Sequence, residues 1–274
     1  PLLAIQGTAQ PVWSPRDYAA LAREGFAKNP VVHRAVRLLS ETAAAVPLLL
    51  FEGDKELSEH PLLALLARPK AHETGADFLE ALYGYLLVSG NAYLEQVPVN
   101  GVPRELYALR PDRVKVVPGS HGWPEAFDYT AAGRTVRLAA EADNGEEAAP
   151  VRHLKLFHPL NDHYGFAPVE AAQMALDIHN AAASWNKALL DNAARPSGAL
   201  IYGAGDALNL TSDQFDRLKA ELEDGYQGAR NAGRPLLLEG GLDWKPMGFS
   251  PSDMEFQETK TAAAREIAQA FGVP

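Results

Sequence analysis

Asn231-Ala-Gly-Arg-Pro-Leu-Leu-Leu-Glu-Gly-Gly-Leu-Asp-Trp-Lys-Pro-Met247 is followed by Ser250-Pro-Ser-Asp-Met-Glu-Phe256 and by Ala264-Arg-Glu-Ile-Ala-Gln-Ala-Phe-Gly-Val-Pro274. Pro235–Leu238 and Leu242–Trp244 read as short strands. Ser250-Pro-Ser-Asp253 caps a final helix on which Phe256, Ala263, Ile267 and Phe271 share one face. Gly272 is its natural stop.

Working outward from this run, the longest helix starts near Pro168, with Glu170 placed for the helix dipole, and runs to about Ala193. Some 26 residues make roughly 39 Å of rod. Arg195-Pro196 ends it. Ala199–Tyr202 then reads as a strand, and Thr211 opens a polar-faced helix to about Tyr226. Two long helices thus bracket a compact α/β insert, and that is the architectural signal.

The N-terminal part is helical. Ser14 reads as a cap with Pro15 at the first helical position and Asp17 as the capping-box acid. Asn29-Pro30 repeats the device, ahead of a stripe of Val32, Val36, Leu39 and Ala43 that Pro47 ends. Pro61–Pro69 is a short helix fenced by prolines, and Thr74-Gly-Ala-Asp77 opens another through about Val88. The texture then turns to strands. Ala92–Val97 and Arg104–Leu109 form a hairpin about Asn100-Gly101. Val114–Val117, Ala126–Tyr129, Arg134–Leu138 and Val151–Phe157 follow, with an acidic, Ala-rich loop over Ala139–Pro150.

Composition excludes several function classes. No cysteine is present, which removes disulfides, thiolate metal sites and cysteine nucleophiles. The net charge of −10 argues against wrapping DNA on a basic face. A channel in which DNA must slide benefits from that acidity, because tight phosphate binding would stall movement. No apolar run reaches the roughly 18 residues of a membrane span, and the N-terminal Pro1-Leu-Leu-Ala-Ile lacks the flank of a signal peptide.

No catalytic constellation stands out. Gly203-Ala-Gly205 follows a strand, but Leu208 replaces the third glycine of a dinucleotide fingerprint, so a loop is the reading. His153, His158, Asp162 and His163 offer metal-ligand chemistry, but no helical i, i+4 pair sets two of them on one face. Strand-end and loop histidines are the expectation, with no metal and no cofactor. Glu221-Leu-Glu-Asp224 reads as a solvated helix face. Arg34 and Arg37 pair with Glu41 and other acids. Trp13, Trp123, Trp185 and Trp244 are scattered as core or interface anchors.

Several segments in order resemble one family: Asn29-Pro-Val-Val-His-Arg-Ala-Val-Arg-Leu-Leu-Ser40, His60-Pro-Leu-Leu-Ala-Leu-Leu-Ala-Arg-Pro69, Leu87-Val-Ser-Gly-Asn-Ala-Tyr-Leu-Glu95, Glu105-Leu-Tyr-Ala-Leu-Arg-Pro-Asp-Arg-Val114 and Tyr164-Gly-Phe-Ala-Pro-Val-Glu-Ala-Ala172. With the C-terminal run, they resemble the portal proteins of tailed phages, in the HK97-like branch that includes gene transfer agent portals. The resemblance covers about residue 29 to the end.

It implies an α+β portal fold. Residues 1–28 would be an N-terminal arm and helix, 29–166 a wing, 167–194 the first stem helix, 195–248 a clip and 249–274 the second stem helix. The tunnel loop and crown of the family are expected to lie beyond this sequence. The implied role is a ring of twelve copies at one capsid vertex, through which double-stranded DNA is packaged and ejected. Terminase and then a head–tail adaptor would dock on the clip, and the major capsid protein would surround the ring. The place of action would be the virion or gene transfer agent particle, after assembly in the host cytoplasm, with no membrane involved and no catalysis by the chain. Trp185, Leu189, Phe256 and Ile267 are the expected subunit-interface residues of the stem. Arg217, Tyr226, Arg230 and Arg234 are the expected docking residues of the clip. A ring-forming adaptor or scaffold that carries no DNA is the alternative, and a metal-dependent hydrolase built on the histidine group is a further one.

Overall fold

The computed structural model describes residues 17–140, 150–191, 198–202, 217, 242–246 and 256–274. The chain divides into two compact units, Pro1–Asp177 with Ala264–Pro274, and Ile178–Ala263.

The first unit opens with α1 (Tyr18–Ala20), which passes into a π-helical stretch, Leu21–Ala27. Asp17 is the N-cap of α1, in extended backbone, with its carboxylate accepting from the Ala20 N–H at 2.8 Å. The helix therefore starts later than the Ser14 reading expects, and Asp17 caps from outside the first turn instead of completing a capping box within it. Ser14 and Pro15 lie outside the described residues.

Asn29 caps α2 (Pro30–Ala44), its side-chain oxygen accepting from Val31 and Val32. Val32 and Val36 of the predicted stripe are buried, joined by Ala35 and Ser40, while Leu39 and Ala43 are half-buried. The seam is rotated because Ala35 and Ser40 are small enough to let a neighbouring helix close on that side. Arg37 pairs with Glu41 on its own helix and with Glu80. Two two-residue strands follow, β1 (Phe51–Glu52) and β2 (Lys55–Glu56), then α3 (Pro61–Ala67), capped by the His60 imidazole. Next is α4 (Gly75–Ser89), which carries a Thr74–Asp77 capping box.

Strands β3 (Asn91–Val99) and β4 (Val102–Leu109) form the predicted hairpin, with Asn100 and Gly101 both at positive φ as a primed turn demands. A second antiparallel sheet holds β5 (Val114–Pro118), β6 (Pro124–Ala131) and β7 (Arg134–Ala139). β8 (Val151–Lys155) then returns to the first sheet and pairs antiparallel on the other side of β3, in the order β4-β3-β8.

The period-2 alternation of β3 divides its side chains between two cores. Ala92, with Leu106 of β4, packs on Phe78 and Leu82 of α4. Tyr93 turns to the opposite face and packs with Leu109, Val114, Val116, Phe127 and Val151, between the two sheets. Helices, one sheet and a second sheet form successive layers.

The helix expected from Pro168 is interrupted. α5 (Pro168–Ala171) stops at Ala172, whose ψ of 3° is not helical, and α6 (Gln173–Asp191) begins afresh. Nineteen residues make α6 roughly 28 Å long, shorter than the sequence suggests. α6 starts in the first unit and continues into the second, and the last helix, α7 (Phe256–Ala270), makes the return passage. α7 ends in a Schellman motif: Gly272 at φ +67° donates to the Gln269 carbonyl and Val273 to the Ala268 carbonyl. Ala263, Ile267 and Phe271 are buried, as the predicted face requires. In the second unit β9 (Gly198–Tyr202) pairs antiparallel with β10 (Leu242–Pro246). The 235–238 strand, the 203–205 loop and the 221–224 acids lie outside the described residues. No helix among the described residues is long and apolar enough to cross a membrane.

Candidate functional site at the root of the long helix

Where α4 ends, β3 begins and the connection to α5 passes, three pieces of backbone meet with almost no side chain between them. Gly90 closes α4 in the left-handed region, at φ +71°. Its carbonyl accepts from the Leu156 N–H at 2.8 Å. A Cβ on Gly165 would lie 2.0 Å from that same carbonyl oxygen, and one on Gly90 would lie 2.6 Å from the Gly165 backbone. Both positions therefore require glycine.

Asn91 fixes the crossing. It is 5% exposed, and its amide is fully engaged. Its Oδ1 accepts from the Gly165 N–H at 2.7 Å, and its Nδ2 donates to the Ser89 carbonyl at 2.7 Å and to the Gly165 carbonyl at 3.4 Å. A backbone N–H only donates and a carbonyl only accepts, so these partners settle which end of the amide is which. His153 Nε2 lies 2.9 Å from the same Oδ1, and it must carry the hydrogen. Nε2 is thus a protonated nitrogen of the ring. The ring stacks on Tyr93, its cross-strand partner, at 4.3 Å between ring centres and 17° between planes, with Phe127 edge-on at 5.8 Å. Burial, with Lys155 adding a smaller repulsion, lowers the His153 pKa to about 4.

The loop from Asn161 to Ala167 is tied at each step. Asn161 Oδ1 accepts from His163 at 2.9 Å and from Tyr164 at 3.0 Å. The Tyr164 hydroxyl accepts from the Val116 N–H at 3.0 Å, which joins the loop to the second sheet. Glu170 reaches back to the Ala167 N–H at 3.2 Å, opening α5 at Pro168. Val169 and Leu176 are fully buried just beyond. The arrangement fixes the point at which the chain enters α5.

The candidate metal residues are not brought together. His153 serves Asn91; His158 Nδ1 accepts from Leu160 at 3.0 Å and meets Phe166 edge-on; Lys155 donates to the Asp162 backbone carbonyl. Among the described residues no group of three or more metal-ligating side chains forms. His153, read from the sequence as a strand-end histidine, has a definite task as the partner of Asn91. Gly90, Asn91 and Gly165 stand inside segments that resemble portals, but with no role attached to them. Gly at the end of a helix followed at once by Asn is the local signal that finds the first two.

Of the expected stem residues, Trp185 lies on α6 and is 46% exposed. Leu189 lies on α6 and Phe256 opens α7, with side chains outside the described residues. Ile267 is fully buried within the chain itself. Arg217 is exposed, while Tyr226, Arg230 and Arg234 lie outside the described residues. Trp123 is 75% exposed at the turn between β5 and β6, so it is no core anchor. Trp13 and the Trp244 side chain are not described.

A family model for phage portal proteins matches residues 30–274. A chain in the solved neck of a native gene transfer agent particle, computed with C12 symmetry, is 57% identical, with a TM-score of 0.68 over 98% of this chain and 71% of that one. A crystallised HK97 family portal protein from Corynebacterium diphtheriae shares the fold at a TM-score of 0.63 and 18% identity, over 96% of this chain and 78% of that one. An uncharacterised protein of Rickettsia bellii is 39% identical over 92% of this chain, which spans 64% of that relative's length. The ordered motifs, the layered α+β fold and these matches agree: the chain belongs to the phage portal protein family.

Proposed function

We propose that this chain is part of a portal subunit, one of twelve copies in a ring at a single vertex of a gene transfer agent or phage particle. The observation that carries the reading is 57% identity, along 98% of the chain, to a chain in a particle neck computed with C12 symmetry. The ring would pass double-stranded DNA inward during packaging and outward on delivery. Terminase and later a head–tail adaptor would dock on the part between α6 and α7, and the capsid protein would hold the periphery. The chain's role is mechanical, and ATP chemistry belongs to the motor.

Within this reading the root of α6 has a clear purpose. Force on DNA in a channel is carried by the helices, and a helix transmits it only if its base is fixed. Two glycine backbones in contact, a fully bonded Asn91 and a tied loop supply that fixity. Trp185, Leu189 and Phe256 are proposed as neighbour contacts along the stem; Ile267 is consumed inside the chain and leaves this set. Arg217, Tyr226, Arg230 and Arg234 are proposed as docking residues.

The test is assembly of the full-length protein. Mass measurement and negative-stain imaging should give a ring of about twelve copies with a bore of at least about 20 Å, as a duplex requires. A narrower bore would point to an adaptor that carries no DNA. A protein that stays monomeric at high concentration and never joins capsids sinks the proposal.

A further inference from the structure

A closed ring of identical copies needs a head-to-tail contact, in which each copy offers two different and complementary patches. Two apolar surfaces of the first unit, one projecting and one receding, suit such a contact. The projecting one is Val46-Pro-Leu-Leu-Leu-Phe51, which leaves α2 and enters the β1–β2 hairpin. Val46, Leu48, Leu49 and Phe51 are 49–61% exposed, and every residue from Phe51 to Glu56 is exposed. A two-stranded hairpin with no buried face is marginal alone and gains stability when a partner covers it.

The receding surface is a groove of about 750 Å³ between the β5–β6 turn and the segment after β8. Trp123 and Phe157 stand on it at 75% and 85% exposed, with Leu156 and the imidazoles of His121 and His158 completing the lining. Contiguous exposed aromatic area of this kind marks a protein contact.

Charge suits the pairing. The hairpin and its exit carry Glu52, Asp54, Glu56 and Glu59 against Lys55, and none of the four acids takes part in an ion pair among the described residues. In the groove, the Lys155 ammonium rests on the backbone carbonyl of Asp162, not on a carboxylate. The Asp162 side chain, also at the groove, is its one acid. The groove thus presents to an acidic hairpin two imidazoles and a cation with no ion-pair partner among the described residues.

We propose that Val46–Phe51 of one copy seats in the Trp123–Phe157 groove of the next copy around the ring, with the hairpin carboxylates facing Lys155. This rests on the portal reading above, and it names the patches that make the ring close.

These 274 residues contain no cysteine, so thiols introduced into them are the sole ones there. The full-length protein, with any cysteine elsewhere replaced by serine, carries Leu49→Cys together with Phe157→Cys. It is treated with a short bis-maleimide and run under denaturing conditions. The expected result is a ladder rising from dimer to the full ring, absent from either single variant. Rings visible in native mass measurement without a ladder overturn this contact and leave the portal reading standing. If assembled particles of the double variant cross-link to a capsid protein in place of the ladder, the groove belongs to another partner and the contact is likewise overturned. Absence of rings in the unmodified protein overturns both. As a second arm, Phe157→Ser should cut the ring population at fixed concentration by about tenfold or more, equivalent to roughly 1.4 kcal/mol. Lys155→Glu should weaken it less. An unchanged ring population in Phe157→Ser counts against the proposal.

Discussion

The root of α6 and the hairpin that follows α2 are opposite solutions to the problem of what a chain does with its surface. At the root, a polar amide is buried and every hydrogen-bonding position on it is used, with glycine backbones in direct contact around it. In the hairpin, apolar side chains are left in solvent, beside carboxylates with no ion-pair partner among the described residues. A buried polar group without partners costs a folded chain stability, so the root must be complete within one copy. Exposed apolar surface is tolerated in a subunit whose burial comes with assembly. One region therefore reports on how the chain fixes itself, and the other on how it meets its neighbours.

The sharpest way to break this contrast is at Gly165. Gly165→Ala places a methyl group 2.0 Å from the Gly90 carbonyl oxygen, which cannot move aside without breaking its bond from the Leu156 N–H. The expected loss is more than about 3 kcal/mol, read as a collapse of the denaturation midpoint. Asn91→Ala should cost about 2–4 kcal/mol, because it orphans the Gly165 N–H and removes the acceptor of His153. Urea unfolding of the variant measures this, and a loss below about 1 kcal/mol would show the root to be ordinary packing.

His153 gives the next effect. Its folded pKa of about 4 lies below its ordinary value of 6.5. Between those pH values the unfolded chain binds the extra proton, so stability is full above pH 6.5 and declines as pH falls toward 4. After allowance for partial solvent screening, the loss is on the order of 2 kcal/mol. His153→Gln keeps a donor for Asn91 and removes the titration, so its stability should be flatter across that window. The smallest effect is expected in the exposed region: Leu49→Ser should shift the stability of the separated subunit by no more than about 0.5 kcal/mol. A large shift there would mean that the hairpin belongs to the chain's own core.

Much of the first unit was legible because its signals are local. Asn29-Pro30, Thr74 with Asp77, Asn100-Gly101 and Gly272 each carry their own stereochemical reason, and each does what its type dictates. Asp17 misled because a Ser-Pro pair just before it offers an equally good helix start. The interruption at Ala172 was invisible because Ala171-Ala172-Gln173 are all compatible with a helix, and only the backbone at ψ 3° reveals the break. Within the candidate site, the glycines and Asn91 were present in the motifs, but 74 residues separate Asn91 from Gly165. No periodicity connects residues so far apart.

The sequence by itself determined the α+β class, the caps, the hairpin turn at Asn100-Gly101, the buried face of α7 and the resemblance to portals. These follow from nearest-neighbour stereochemistry and from side-chain period, which act over a few residues. Tertiary structure alone decided that His153 is a buried partner of Asn91, that Ile267 is core, and that Trp123 and Phe157 face solvent. Each of these depends on which distant segment arrives beside the residue, and that is set by packing of the whole unit.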